Sequence, residues 1–418
     1  MQGIQQKWFE NKAALNFAVG IEDTFIPQSR PGMRALDEYE LTGHYEHWYE
    51  DLGLITQTGA NQVRWGIPWY LINPEKNLYK FDWLDRVVDR FEALNLEVMV
   101  DLMHYGTPLW LDNSFINHDY PQYVAEYSAR VAERYRNRLN IWTPLNEPLL
   151  NMMYCGEYGY WPPYLVGDDG FVKLFKQITR GMILTQNAIS DVSPDSSFVN
   201  VEASFRFAGD TDSYRDRVNF LQHRRFLVED AIMGKVDVDH PLSSWLQKHG
   251  MTDNDLQWYI DNAVKPDVIG VNYYPQVSTV KYIADEPHDG SPFDPLPFQN
   301  DGVEGLKEIL TLFANRYNLP VYLTETCSPG PVEERIRWLN ESVKAVDELR
   351  SQGMNLIGYT WWSLFDMMYW VYRDEDYPSE KYLAQMGLWD LEKDDRNSFK
   401  RVRTEAVDTF RKLVDEHR

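Results

Sequence analysis

Short β-rich apolar runs and amphipathic helical segments alternate along this chain from one end to the other. Strand candidates fall at Leu15–Gly20, Asn61–Ile67, Leu96–Leu102, Asn140–Leu145, Phe198–Ala203, Asp267–Asn272, Pro320–Thr324 and Leu356–Trp362. Most read as buried on both faces, which a parallel sheet covered by helices requires. Between them, Asp82–Leu94 opens on a capping aspartate and lines Leu84, Val87, Val88, Phe91 and Leu94 along one face. Pro121–Leu139 carries proline in its first turn, and Val332–Gln352 stops at Gly353. Eight strands alternating with helices predict an α/β fold, a (β/α)8 TIM barrel, with residues 1–418 forming a single domain. A doubly wound open sheet is the alternative, but no Gly-rich phosphate loop follows the first strand.

A chain of 418 residues with 44% hydrophobic content can bury a large core. Its net charge of −23 and pI near 4.8 argue against nucleic-acid and anionic-membrane surfaces, because phosphates would be repelled. Two cysteines, Cys155 and Cys327, give neither a disulfide framework nor a metal-ligand cluster, and the histidines do not group as ligands. No metal and no cofactor are expected. Neither a signal-like apolar run at the N-terminus nor a membrane-length apolar stretch is found, so a cytoplasmic location is expected. The longest irregular segment, Asp285–Asp301, holds Pro287, Gly290, Pro292, Pro295 and Pro297, and on a barrel it would rise over the C-terminal mouth.

Two strand candidates end on glutamates: Trp142-Thr-Pro-Leu-Asn146-Glu147-Pro148 and Val321-Tyr-Leu-Thr-Glu325. In a barrel, side chains at C-terminal strand ends face the mouth. Two carboxyl groups delivered there suit the cleavage of a glycosidic bond, one to protonate the leaving oxygen and one to attack or to activate water. A single strand-end glutamate is more often half of a structural ion pair. The pair, in polar and aromatic company, points to chemistry.

Thr143-Pro-Leu-Asn146-Glu147-Pro148 resembles the acid/base motif of the family 1 β-glycosidases, and Val321-Tyr-Leu-Thr-Glu325 is similar to that family's nucleophile strand. Val63-Arg64-Trp65-Gly-Ile-Pro-Trp69, Met103-His104-Tyr105-Gly-Thr-Pro108, Ile269-Gly-Val-Asn272-Tyr273-Tyr274 and Gly358-Tyr-Thr-Trp-Trp362 through Trp370 follow in the family's order. The resemblance runs from about Leu15 to Leu391. It implies a retaining exo-β-glycosidase that removes a β-linked sugar from a small-molecule glycoside or oligosaccharide. Glu147 would be general acid/base and Glu325 nucleophile. Asn146 would bond the sugar 2-hydroxyl, Arg64 would hold Glu325 ionised, and Tyr274 would orient it. His104 would contact sugar hydroxyls, Trp362 would form a stacking floor with Trp361 turned away into packing, and Asn272, Tyr369 and Trp370 would complete the pocket.

Three positions depart from the family pattern. No amide stands after the first strand, where the chain reads Val19-Gly20-Ile21-Glu22-Asp23-Thr24-Phe25. Tyr369 replaces the glutamate that grips the sugar's outer hydroxyls, and Thr326-Cys327 replaces Asn-Gly after the nucleophile. The catalytic half of the pocket is kept and the specificity half rebuilt. Transglycosylation by the same mechanism and a non-catalytic carbohydrate receptor are the alternatives. A phosphosugar substrate is disfavoured, because neither Arg373 nor Lys381 matches the basic positions that such substrates need.

Overall fold

The computed structural model describes residues 7–11, 14–283, 296–395 and 398–418. Eight parallel strands close into a barrel, numbered here along the chain: β1 Asn16–Gly20, β2 Gln62–Gly66, β3 Glu97–Asp101, β4 Ile141–Thr143, β5 Ser197–Ala203, β6 Val268–Asn272, β7 Val321–Thr326 and β8 Leu356–Trp361. Each strand pairs with its neighbours in sequence, and β1 closes the ring against β8. The eight expected strands are these eight, with ends displaced by one or two residues. Helices cover the outside of the ring, so the strands bury both faces.

The barrel interior divides into a plugged floor and an open mouth. Met99, Ile141, Val199, Val201, Val268, Tyr322 and Ile357 pack together at the lower level with Phe9, and Trp8 lies against them. The short helical turn Trp8–Glu10 thus stoppers the N-terminal end. Above this layer the inward positions turn polar, and that change of side-chain chemistry makes a site possible.

Helix Asp82–Ala93 buries Leu84, Val87, Val88 and Phe91, the stripe expected from its periodicity. Its cap differs from expectation. Phe81 occupies the capping position, and Asp82 is the first helical residue, where its charge still favours the positive helix end. Helix Tyr120–Arg134 keeps proline in its first turn but ends short of the expected Leu139. Val332–Ser351 terminates before Gly353, whose φ of 93° suits glycine. Of the proline-rich loop, residues 285–295 lie outside the described residues; Phe298 bridges to Val280 and Pro297 O accepts from Lys281 N at 3.0 Å. Among the described residues, no helix is long and apolar enough to cross a membrane.

Glycine 358 shows how tightly the interior is filled. A Cβ there would lie 2.1 Å from Cε2 of Tyr322, whose hydroxyl donates to Gln62 Oε1 at 2.9 Å. Gly358→Ala is therefore expected to push the Tyr322 ring off its acceptor and to cost about 1–3 kcal/mol. A fall in the urea midpoint at unchanged slope would register it.

Candidate active site

At the C-terminal mouth of the barrel lies a cavity of about 340 Å³ whose lining includes Glu22, His104, Glu147, Tyr274, Glu325 and Trp370. A larger groove, about 700 Å³, runs over the outer helices past Lys173, Lys176 and Trp258, but no paired carboxyls face into it from strand ends. The chemistry gathers at the mouth.

Two backbone irregularities aim the glutamates. After β4 the chain turns so that Glu147 adopts φ 45°, a left-handed conformation costly for a residue with a Cβ. The turn is pinned on both sides, Asn146 N donating to Met103 O at 2.9 Å and Glu147 N to Val201 O at 3.1 Å. In β7 the register slips between Leu323 and Glu325, so Glu325 pairs with Asn272 two residues after Leu323 pairs with Val271. This bulge lets Thr324 and Glu325 both bond to groups of the site, which regular alternation would forbid. Thr324 Oγ1 donates to Asn272 Oδ1 at 2.7 Å, and Asn272 Nδ2 then donates to Glu147 Oε1 at 3.0 Å.

Arg64 is the hub. Wholly buried on β2, it donates through Nη1 to Glu325 Oε1, through Nη2 to Asn146 Oδ1 at 2.6 Å, and pairs with Asp101 Oδ2 at 2.7 Å. Tyr274 donates its hydroxyl proton to the other Glu325 oxygen, Oε2, at 2.6 Å. Among the described residues, Glu147 receives only neutral donors, Asn272 Nδ2 and the Tyr105 hydroxyl. Tyr105 itself sits at φ 82°, a second strained residue beside the site.

Burial pushes both carboxyls above the ordinary glutamate range. For Glu325 it does so, against the opposing pull of Arg64 and with the charge on Glu147 adding to it, up to about 8. Repulsion between carboxyls is mutual, so the pair holds one proton between them around neutrality. The contacts decide where that proton sits: a guanidinium hydrogen-bonded to the carboxylate stabilises charge far more than a neutral hydroxyl or amide does. The negative charge settles on Glu325 and the proton on Glu147.

Behind this pair lies a second network. His104 Nδ1 is 2.8 Å from Asp23 Oδ1 and 3.4 Å from Asp101 Oδ2. Burial works against charge on the ring, but Asp23, Asp101 and Glu22 overcome it and raise the His104 pKa well above the usual value. Asn146 answers differently: its oxygen is held by Arg64, so its Nδ2 must face His104 Nε2, at 2.8 Å, and that nitrogen must accept. The amide geometry favours a neutral ring protonated on Nδ1. Burial pushes Asp23 up to about 6. Asp23, Asp101 and His104 lie close enough to hold a cation, but Arg64 already supplies positive charge to Asp101 there.

The sequence-derived residues fall into three groups. Arg64, Asn146, Glu147, Asn272, Tyr274, Glu325 and His104 form one hydrogen-bonded cluster. Trp362 lies one layer deeper, 1% exposed, stacked on His104 at 5.8 Å with its Nε1 donating to Glu22 Oε2 at 2.7 Å. Trp361 bonds Met386 O instead. Trp370 packs on Tyr105 and Trp161 at the rim, and Tyr369 is 49% exposed at the entrance. Sequence reasoning missed Glu22, Asp23, Tyr105 and Thr324. The signal for the first two was present: Glu22-Asp23-Thr24 is a polar run directly after an apolar strand, and all three are buried. Cys327 is buried, which pushes its thiol well above the usual range and leaves it unreactive.

Removing the hub should expose its electrostatic role. Arg64→Met is expected to cost about 3–5 kcal/mol at neutral pH, because it strands buried carboxylates. Glu325 is then raised further in the folded state than in the unfolded chain, so the folded state binds more protons and stability falls as pH rises. Urea unfolding should show the variant's own stability falling as pH rises from about 5 to 8.

The family model for glycosyl hydrolase family 1 matches residues 20–417. Among curated relatives, β-glucosidase A of Thermotoga maritima is 26% identical over 357 residues, 78% of this chain and 79% of that protein. A bifunctional β-D-glucosidase/β-D-fucosidase of Bifidobacterium breve is 24% identical over 443 residues, covering 91% and 92%. The solved structure of the family 1 β-glucosidase from Thermotoga maritima superposes with a TM-score of 0.80 at 19% identity, over 96% of this chain and 98% of that one, and shares the barrel. The chain belongs to glycosyl hydrolase family 1 and is a glycoside hydrolase of the β-glucosidase-like kind.

Proposed function

We propose that the chain is a retaining exo-β-glycosidase that releases a β-linked sugar from a glycoside or oligosaccharide, with residues 1–418 acting as one catalytic unit. The observation that carries this reading is the unequal company of two carboxyls facing one cavity: Glu325 on a guanidinium and a tyrosine hydroxyl, Glu147 on neutral donors alone. Glu325 attacks the anomeric carbon as the glycosidic bond breaks, and Glu147 gives its proton to the leaving oxygen. Glu147 then takes a proton from water, whose oxygen displaces Glu325 and frees the sugar.

Asn146 takes the sugar 2-hydroxyl, and His104 and Glu22 meet hydroxyls further round the ring, over the layer that Trp362 supports. Trp370 and Tyr369 shape the rim. The cavity lies at the small end of ligand pockets, which suits one saccharide unit and exo action. The apolar Phe205, Val277 and Phe298 also line the cavity and suit the aglycone. Arg373 is held by Ile26 O and Gln28 O, so a neutral glycone fits better than a phosphorylated one, although a 6-phospho-β-glucosidase of Clostridium longisporum is also a relative. Two buried thiols and the acidic balance support a cytoplasmic setting without nucleic-acid partners.

A panel of nitrophenyl β-glycosides tests the assignment. Glu325→Gln is expected to abolish turnover and Glu147→Ala to lower kcat by roughly 10²–10⁴-fold. Proton NMR of the first-formed sugar should show the β anomer. Initial release of the α anomer, or full activity in either variant, would overturn the reading. Added acceptor alcohols distinguish transfer from hydrolysis by their products.

A further inference from the structure

A buried carboxyl hydrogen-bonded to the turn of Glu147 is not used by the mechanism above. Glu202, at the end of β5, is 0% exposed. Its Oε1 accepts from Leu149 N at 3.1 Å and from Ala203 N at 3.0 Å. Its Oε2 has no hydrogen-bond partner among the described residues. Glu229, buried on the helix Leu227–Ile232, is in the same condition: Asn200 Nδ2 donates to one oxygen at 3.0 Å and the other has no partner.

The turn carrying Glu147 explains why Leu149 needs this partner. Glu147 is the capping residue of the helix Pro148–Met152, and a capping side chain ordinarily accepts from the second or third helical N–H. Here that side chain points away, into the cavity, to Tyr105 and Asn272, and makes no capping bond. Pro148 has no N–H, and Asn151 N is the first to bond back to Glu147 O, at 3.0 Å. Leu149 N is therefore a buried orphan donor unless a group from elsewhere meets it.

We propose that Glu202 is a positioning residue for Glu147: it caps the turn from the neighbouring strand and so releases the Glu147 side chain to serve as acid and base. The inference rests on the acid/base reading of Glu147. Burial and the nearby Glu229 and Glu147 charges raise the Glu202 carboxyl well above the ordinary range, and its Oε1 takes both N–H groups. Burial likewise pushes Glu229 up to about 7. The titratable and charged groups around the two glutamates are Glu229 on the Glu202 side, and Tyr105, Tyr154, His104, Arg64, Tyr274 and Glu325 on the Glu147 side.

A neutral oxygen acceptor is all this role requires, and that separates it from a general contribution to packing. Glu202→Gln keeps the acceptor; Glu202→Met fills the space without one, and Glu202→Ala empties it. The readout is kcat/KM on phenyl and 2,4-dinitrophenyl β-glycosides of whichever sugar the panel shows to be turned over. Only the poor phenolate leaving group needs proton donation. With phenyl glycoside, Glu202→Met and Glu202→Ala should lose roughly 10- to 100-fold, as expected for a misplaced acid. With the dinitrophenyl glycoside they should stay within about threefold, and Glu202→Gln should stay within about threefold on both.

Equal losses on both substrates, or none, would overturn the proposal. Failure of both apolar variants to fold would also overturn it, since Glu202 would then serve the fold at large. Glu147→Ala run in parallel must show the same leaving-group split. If it does not, the acid assignment itself falls, which is distinct from a failure confined to Glu202.

Discussion

The contact between Arg64 and its three side-chain acceptors organises the mouth of this barrel. A guanidinium is planar, permanently charged and able to donate in several directions at once, so one side chain can fix several others. From β2 it reaches Glu325 on β7, Asn146 after β4 and Asp101 on β3. Because Asn146 Oδ1 is committed to Arg64, the amide nitrogen has to face His104, which sets the ring's tautomer. Because Arg64 meets Glu325 and not Glu147, the shared proton has a preferred home. A lysine would supply the charge but not the directions.

That arrangement is held against local strain. Glu147 and Tyr105 both occupy left-handed backbone conformations, and they hydrogen-bond to each other across the mouth. Neither conformation would persist alone. Ladder-like bonds from Asn146 to Met103 and from Glu147 to Val201 tie the turn to the flanking strands, and the filled barrel floor gives those strands no room to shift. Two residues with left-handed backbone thus meet at the mouth, and the bonds and packing around them hold them there.

The sequence made the barrel legible because parallel strands buried on both faces have a signature, short β-branched runs set between amphipathic helices. Glu147 and Glu325 were legible for a related reason, each standing where such a run stops. What stayed hidden was everything that depends on exceptions to regular geometry. Alternation along β7 would send Thr324 and Glu325 to opposite faces, and only the slip in register brings both into the site. The family resemblance made Trp362 the stacking floor of the sugar pocket, whereas the indole stacks on His104 and is a support one layer down. Glu202 gave no sign at all, since a glutamate inside an apolar strand reads as an ion pair until the orphan N–H of Leu149 is seen beside it.

The offset in β7 belongs to the backbone, which is held on one side by β6 and on the other by β8. The outline of the slot is thus drawn by main-chain pairing and not by the carboxylate that projects from it. A chain changed at position 325 would keep that shaped receptacle, so a Glu325→Gln protein is a ready trap for fishing glycosides out of a mixture.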